Sequence, residues 1–303
     1  MSILLLGKDG QVGWQLQRSL APHGEVVACA RSDADLSDAG QLRALVRRVR
    51  PAVIVNAAAY TAVDKAESEP ELAWRINAEA PGVLAGAAAE SGALLIHYST
   101  DYVYDGLKPT PYVETDPTNP QSAYGRSKLA GEEAIRASGA KSVIFRTSWV
   151  FGARGGNFVK TILRLARDKE SLNVVDDQVG APTPAALIAT VTGVVLAGLR
   201  QGEAMAVGEQ RLYHLCSGRS VSWCEFARTI VALAGVMPGF DLRLKPEAIR
   251  AIPSRDYPTP AVRPLNSRLD CARLENDFGL RMPDWQPYLE RMLQLLSLKQ
   301  NGY

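Results

Sequence analysis

Short apolar runs recur through the first half of the chain, at Ile3–Leu6, Val53–Asn56 and Ala93–Tyr98, and Glu25–Ala30 and Lys141–Thr147 read as further strands. Runs of this length with few polar breaks suit strands buried on both faces of a parallel sheet. Between them lie stretches with helical spacing: Trp14–Leu20, Gln41–Arg50 stopped by Pro51, and Glu71–Glu90 ended by Gly92. Strand and helix in alternation predict an α/β fold, a doubly wound parallel sheet with right-handed crossovers. Farther on, Asn157–Asp168 and Pro182–Arg200 read as helices, Leu172–Asp176 and Leu212–Cys216 as strands, and Pro283–Leu298 as a closing helix. After about residue 210 the alternation weakens and Pro246, Pro253, Pro258, Pro260 and Pro264 accumulate, which suits a smaller α+β substrate lobe. The expected division is a dinucleotide-binding domain over 1–150, with parts of 157–210 returning to it. A mainly substrate-binding lobe would occupy 151–303.

The first strand runs straight into Gly7-Lys8-Asp9-Gly10-Gln11-Val12-Gly13 and then a helix. Glycines between a strand and a helix let the backbone turn tightly and approach a pyrophosphate, while the helix N-terminus offers free N–H groups. Gly7, Gly10, Gln11, Val12 and Gly13 are therefore cofactor-binding candidates in a Rossmann-type fold, although an ordinary glycine turn would share the pattern. The second strand ends Cys29-Ala30-Arg31-Ser32 with no acid to grip a ribose 2′-hydroxyl. Arg31 there favours NADPH, with NADH as the alternative and a merely solvated arginine as the competing reading. Asp35 and Leu36 are placed to frame the adenine. Ala57, Ala59, Tyr60 and Thr61 follow the third strand, where small residues admit a flat ligand.

Composition narrows the classes. The chain has 303 residues, 47% hydrophobic and 22% charged, with net charge +2 and no dense basic block, so neither nucleic acid nor an anionic membrane is called for. No apolar run approaches the ~20 residues of a membrane helix. Cys29, Cys216, Cys224 and Cys271 are scattered and form no close pair in sequence, which points to a reducing, cytoplasmic setting rather than zinc or disulfides.

The chemistry gathers around Ser99-Thr100-Asp101 and Tyr124-Gly-Arg-Ser-Lys128. Tyr124 and Lys128, four apart, share a helix face, with Ser122 as the cap. An ammonium beside a phenol lowers a pKa otherwise near ~10 and makes Tyr124 a usable proton donor. Thr100, at a strand tip, would offer a second hydroxyl to the same substrate oxygen. The Pro- and Tyr-rich stretch from Asp101 to Asn119 leaves that tip and is expected to face the substrate. His97 reads as a packed core residue rather than a ligand. A Tyr and Lys at this spacing also arise by chance on a solvated helix, so the weight falls on the set.

That set, Gly7/Gly10/Gly13, Asn56–Ala59, Ser99-Thr100-Asp101 and Tyr124/Lys128, resembles the extended short-chain dehydrogenase/reductase family. Finer matches are Val55–Glu67, His97–Val103, Phe145–Val150, Asp177–Thr183 and Arg263–Ser267; they resemble the family's nucleotide-sugar reductases over nearly the whole chain. The resemblance implies a Thr100–Tyr124–Lys128 triad, with Ser99, Tyr124 and Lys128 also touching the cofactor. It implies NAD(P)H-dependent reduction of the C4 ketone of a dTDP-linked 6-deoxy-4-hexulose. Sugar contacts would fall at Thr100, Asp101, Tyr124 and Trp149, with Asn157 and Arg263 near the nucleotide; Trp149 as a core residue is the competing reading. Some members dimerise around magnesium. Gln15 and Ala186 stand at the matching positions, and an amide and a methyl group are poor ligands for a hard cation. No metal is expected, and a monomer or metal-independent homodimer is. Tyr102 follows Thr100-Asp101 where a dehydratase would carry a glutamate. A related epimerase or reductase, or a non-catalytic regulatory subunit, remains the alternative.

Overall fold

The structure, a computed structural model, describes residues 1–201, 205, 206 and 208–300; the tail of the expected 151–303 lobe, residues 301–303, lies outside the described residues. Its centre is a six-stranded sheet made of β1 (Ser2–Leu6), β2 (Glu25–Cys29), β3 (Val53–Asn56), β4 (Leu94–Thr100), β5 (Ser142–Thr147) and β6 (Gln210–His214). The strands lie in the order β6-β5-β4-β3-β1-β2, every pair parallel. The run reverses between β1 and β3, so a crevice opens at their carboxyl ends, where open α/β sheets bind ligands.

Side chains alternate across the sheet as a strand requires. Ile3, Leu5, Val53, Val55, Ile96 and Phe145 point to one face. There they meet Leu16 and Leu20 of α1 (Gln11–Leu20). Ile188, Val191 and Val195 come from the long apolar helix 185–201 on the same side. Leu4, Leu6, Ile54, Leu95 and Ile144 point the other way. They pack on Leu42 and Val46 of α2 (Ala39–Val49), on Leu84 and Ala88 of α3 (Ala80–Ser91) and on Ile135 of α4 (Ala123–Ala137). A separate apolar cluster joins α5 (Phe158–Asp168), α7 (Trp223–Gly235) and α8 (Gln286–Gln300), the helix 185–201 being α6. Val159, Ile162, Phe226, Ile230, Trp285 and Leu289 fill it.

Three findings differ from the sequence expectations. The stretch read as one helix over Glu71–Glu90 is three: Pro70–Trp74, a wider π turn over Arg75–Glu79, and α3. Pro81 offers no backbone N–H to a regular ladder, and the π turn precedes it. Helix α7 was not foreseen, although Ser222 and Glu225 stand three apart as an N-terminal signature; the Ser222 hydroxyl accepts from the Glu225 N–H at 3.0 Å. Cys216 and Cys271, distant in sequence, bring their buried Sγ atoms to 3.5 Å while remaining free thiols.

No described helix is long and apolar enough to cross a membrane.

Candidate functional site

A cleft of about 860 Å³ opens at the carboxyl ends of β1, β3 and β4. Gly7, Gly10, Gln11 and Val12 form its floor, Arg31, Asp35 and Leu36 one end, and Ala57, Ala59, Tyr60 and Thr61 a wall. Ser99, Thr100, Tyr124, Lys128 and Trp149 line the opposite region. Gly13, Asp101, Asn157 and Arg263 do not line it.

The glycine turn is built for close approach. Gly7 has φ +84°, and a Cβ there would lie 2.8 Å from the Ala58 nitrogen. A Cβ on Gly13 would fall 2.0 Å from the Gly7 carbonyl oxygen, so Gly13 acts from behind the cleft by letting α1 sit against the turn. Gly10 caps α1; no side chain bonds the freed N–H groups, and the first turn holds no acid. That leaves donors and a positive helix end facing the cleft, as a phosphate group would need.

At the end of β2, Arg31 projects with its side chain 77% exposed and bridges to Asp35 at 3.0 Å. Asp35 is held low in pKa, first by the Ser37 backbone N–H. The sequence reading missed Lys8, inside the glycine turn. It pairs with Asp33 at 2.9 Å and adds a second cation beside the mouth. A dinucleotide fits this end through a glycine cradle and an uncapped helix, and the two cations would exchange Asp33 and Asp35 for an added phosphate.

Ser122 caps α4 through its hydroxyl, which accepts from the Gly125 N–H at 3.1 Å. The helix thereby presents Tyr124 and Lys128 to the tip of β4. Burial pushes the Tyr124 phenol well above its usual pKa; the Thr100 hydroxyl, lying against it, acts the other way. This corrects the expectation of a lowered phenol pKa. The Lys128 amine does not hydrogen-bond the phenol. It donates to the Tyr98 carbonyl at 2.7 Å and meets His97 Nε2 at 3.2 Å. Lys128 is itself buried, which lowers its pKa to about 8 against the opposing pull of Glu132. His97 is thus a core residue that also touches the candidate triad.

Thr100 Oγ1 donates to Asp101 at 2.9 Å and accepts from the Tyr102 N–H at 3.2 Å. Asp101 is wholly buried behind it, and burial raises its pKa to about 6. Ser99 Oγ and Thr147 Oγ1, on residues that line the cleft, are buried without a protein partner.

Trp149 sits at φ +47°, a rare backbone for a bulky side chain. Its indole stacks on Trp223 with ring centroids 3.4 Å apart and planes 8° from parallel. Gly180 leaves it room, since a Cβ there would lie 2.6 Å from Trp149 Cε2. Trp223 was not singled out from sequence; the unrecognised α7 cap was the signal for it. Asn157 is occupied differently from the expectation. Its side chain caps α5 by accepting from the Lys160 N–H and donates to Gln11 at 2.9 Å, so it braces the glycine turn. Arg263 is likewise engaged, with Asp64 at 2.7 Å and the Tyr102 hydroxyl at 3.2 Å, and Tyr102 packs edge-on against Tyr124 at 5.5 Å.

Asn77 was also missed. It lies in the π turn, fully buried, and accepts from the Tyr60 N–H at 2.9 Å. Its amide donates to the Tyr60 carbonyl and the Ser127 hydroxyl. It therefore ties the cleft wall after β3 to α4. An amide in a helical stretch, four before a proline, was the available clue. Among the described residues no group of three or more His, Cys, Asp or Glu is arranged to hold a metal.

The model of the family described as RmlD substrate binding domain matches residues 1–298. A dTDP-4-dehydrorhamnose reductase of Burkholderia thailandensis is 49% identical over 286 residues, covering 94% of this chain and 96% of that protein. A crystal structure of a dTDP-4-dehydrorhamnose reductase from Clostridium acetobutylicum superposes with TM-score 0.87 at 36% identity, covering 98% of this chain and 99% of the other. That of Bacillus anthracis, in complex with NADP, gives 0.85 at 34% identity, covering 97% and 99%.

Proposed function

This chain belongs to the RmlD substrate binding domain family, and from that premise we propose that it reduces the C4 ketone of dTDP-6-deoxy-L-lyxo-4-hexulose to dTDP-L-rhamnose with NADPH. The observation that carries the reading is convergence. The Tyr124 phenol, the Thr100 hydroxyl and the Lys128 amine share one cleft with the glycine turn of β1. The named relatives, reductases of this class, and the NADP held by the Bacillus anthracis protein support it.

When bound, the nicotinamide supplies a hydride to the ketone carbon. The chain manages the oxygen. Tyr124 Oη donates its proton to that oxygen as negative charge develops on it. A phenol with a raised pKa stays protonated at neutral pH, so the proton is present when needed. Thr100 holds a second hydroxyl at the same place; its proton, directed to Asp101 in the free protein, would turn to the substrate oxygen, while the Tyr102 N–H holds its lone pair. Lys128 binds the nicotinamide ribose and, when protonated, stabilises the phenolate left behind. Fixed donors at a developing oxyanion carry much of such catalysis. Trp149, backed by Trp223, offers a flat face to the sugar nucleotide. Gly7, Gly10, Gln11 and Val12 would hold the pyrophosphate, Arg31 the 2′-phosphate, and Asp35 and Leu36 the adenosine. The cluster of α5, α7 and α8 would form the body of the substrate lobe.

The test is the loss of NADPH absorbance when the dTDP-linked 4-keto sugar is supplied, compared with keto sugars on other bases. Oxidation of NADPH specific to the dTDP sugar is expected. Absence of turnover, with a stable partner protein recovered on pull-down, would favour the regulatory alternative.

A further inference from the structure

Behind Lys128 runs a chain of buried side chains that the proposed reaction does not use. His97 of β4 stands opposite Asn56 of β3 in the sheet register. His97 Nδ1 lies 3.2 Å from Asn56 Nδ2, and its Nε2 lies 3.2 Å from Lys128 Nζ. All three residues are essentially inaccessible to solvent. The far end is anchored: Asn56 Oδ1 accepts from the Ala58 backbone N–H at 3.3 Å.

That anchor sets the direction of the chain. A backbone N–H cannot turn into an acceptor, so the Asn56 oxygen faces Ala58 and its NH2 group donates to His97 Nδ1. An accepting Nδ1 leaves the ring proton on Nε2, facing Lys128. A neutral amine there both donates to the Tyr98 carbonyl and accepts from His97. An ammonium has no lone pair, and its proton would meet another proton at 3.2 Å. Turning the amide to suit an ammonium would set NH2 against the Ala58 N–H.

We propose that His97 stabilises the neutral form of Lys128 in the cofactor-free protein, so that at pH 8 and above cofactor binding takes up a proton there. The coupling rests on the reading that Lys128 binds the nicotinamide ribose. A vicinal diol adds acceptors that, with the Tyr98 carbonyl, satisfy an ammonium without His97. Of the charged groups around the amine, one opposes the neutral form. Glu132 on the same helix favours the charged form, but both its oxygens are held by Arg146 at 2.9 and 2.6 Å. Arg75 and Glu79, on the π turn packed against α4, are exposed. Tyr124 is neutral, and the Tyr98 hydroxyl is turned to Thr192. Burial acts in the same direction, lowering the amine's pKa to about 8 and the imidazole's well below its ordinary value.

Two measurements test this. Nitrogen-15 NMR of the free protein above pH 9, with three histidines to assign, should show His97 neutral and protonated at Nε2. Protonation at Nδ1 overturns the proposal whatever the enzyme reduces. Calorimetry of NADP binding at pH 8, in buffers of different ionisation enthalpy, should then report uptake of about half a proton, vanishing towards pH 6.5. His97→Phe removes the donor that suits the neutral amine. Its uptake at pH 8 should fall to about a tenth of a proton, the change expected from losing one hydrogen bond. Equal heats in all buffers, or unchanged uptake in the variant, overturns the coupling. Failure of NADP to bind overturns the cofactor reading and the coupling together, leaving the NMR result to stand separately.

Discussion

Trp149 shows how much of a site can depend on one neighbour's missing atom. Its backbone is held in the left-handed region, its indole lies flat on Trp223, and Gly180 leaves the space that the ring fills. Gly180→Ala should displace the indole and raise KM for the sugar nucleotide about tenfold while cofactor affinity stays, as titration of each ligand would show. Asp101 is the second instructive residue. Its carboxyl is buried and keeps its proton up to about pH 6, whereas an unfolded chain releases it near ~4. Between those values the folded state binds more protons, so stability falls as pH rises, by up to about 3 kcal/mol. Asp101→Asn should flatten that slope between pH 4 and 6 in denaturant titrations. Residue identities at the tip of β4 were readable from sequence, but their electrostatics were not. Spacing places Lys128 one turn from Tyr124, yet only the fold shows that the amine turns to His97 and the Tyr98 carbonyl.

Among the elements, β1 and β3 were the most legible strands because they are buried and carry apolar runs, whereas β2 and β6 at the sheet edges and β5, with Ser142 and Arg146, were less so. The glycine turn was legible because strand, glycines and helix follow one another directly. What escaped was set by contacts distant in sequence. The π turn exists where Pro81 interrupts a helical stretch and where Asn77 grips Tyr60 and Ser127. Asn77→Ala should leave those groups short of partners, costing about 2–3 kcal/mol. Thermal unfolding would measure the loss, and a raised Kd for the cofactor should accompany it because the cleft wall is no longer tied to α4. Helix α7 hid behind a capping signature in a region where alternation had faded. The thiol pair of Cys216 and Cys271 could not be read from spacing at all.

At the scale of the whole molecule, the order of strands fixes where ligands bind. Reversal between β1 and β3 opens the crevice, and the glycine turn, the wall after β3 and the tip of β4 all face it. The second apolar cluster of α5, α7 and α8 brings Trp223 against Trp149 at its edge. Cofactor preference belongs to this scale, because it depends on charge gathered from β2 and the glycine turn. Arg31→Ala should lower kcat/KM with NADPH about tenfold and leave NADH little changed, since exposed charge pairs contribute modestly. Comparing the two cofactors checks it. The central claim is that the phenol of Tyr124 delivers the proton. Its most direct test is single-turnover reduction by Tyr124→Phe, with NADPH binding followed in the same samples. Turnover should fall by about 10²–10⁴-fold with binding within a few-fold of the parent protein; turnover near that of the parent would contradict the account.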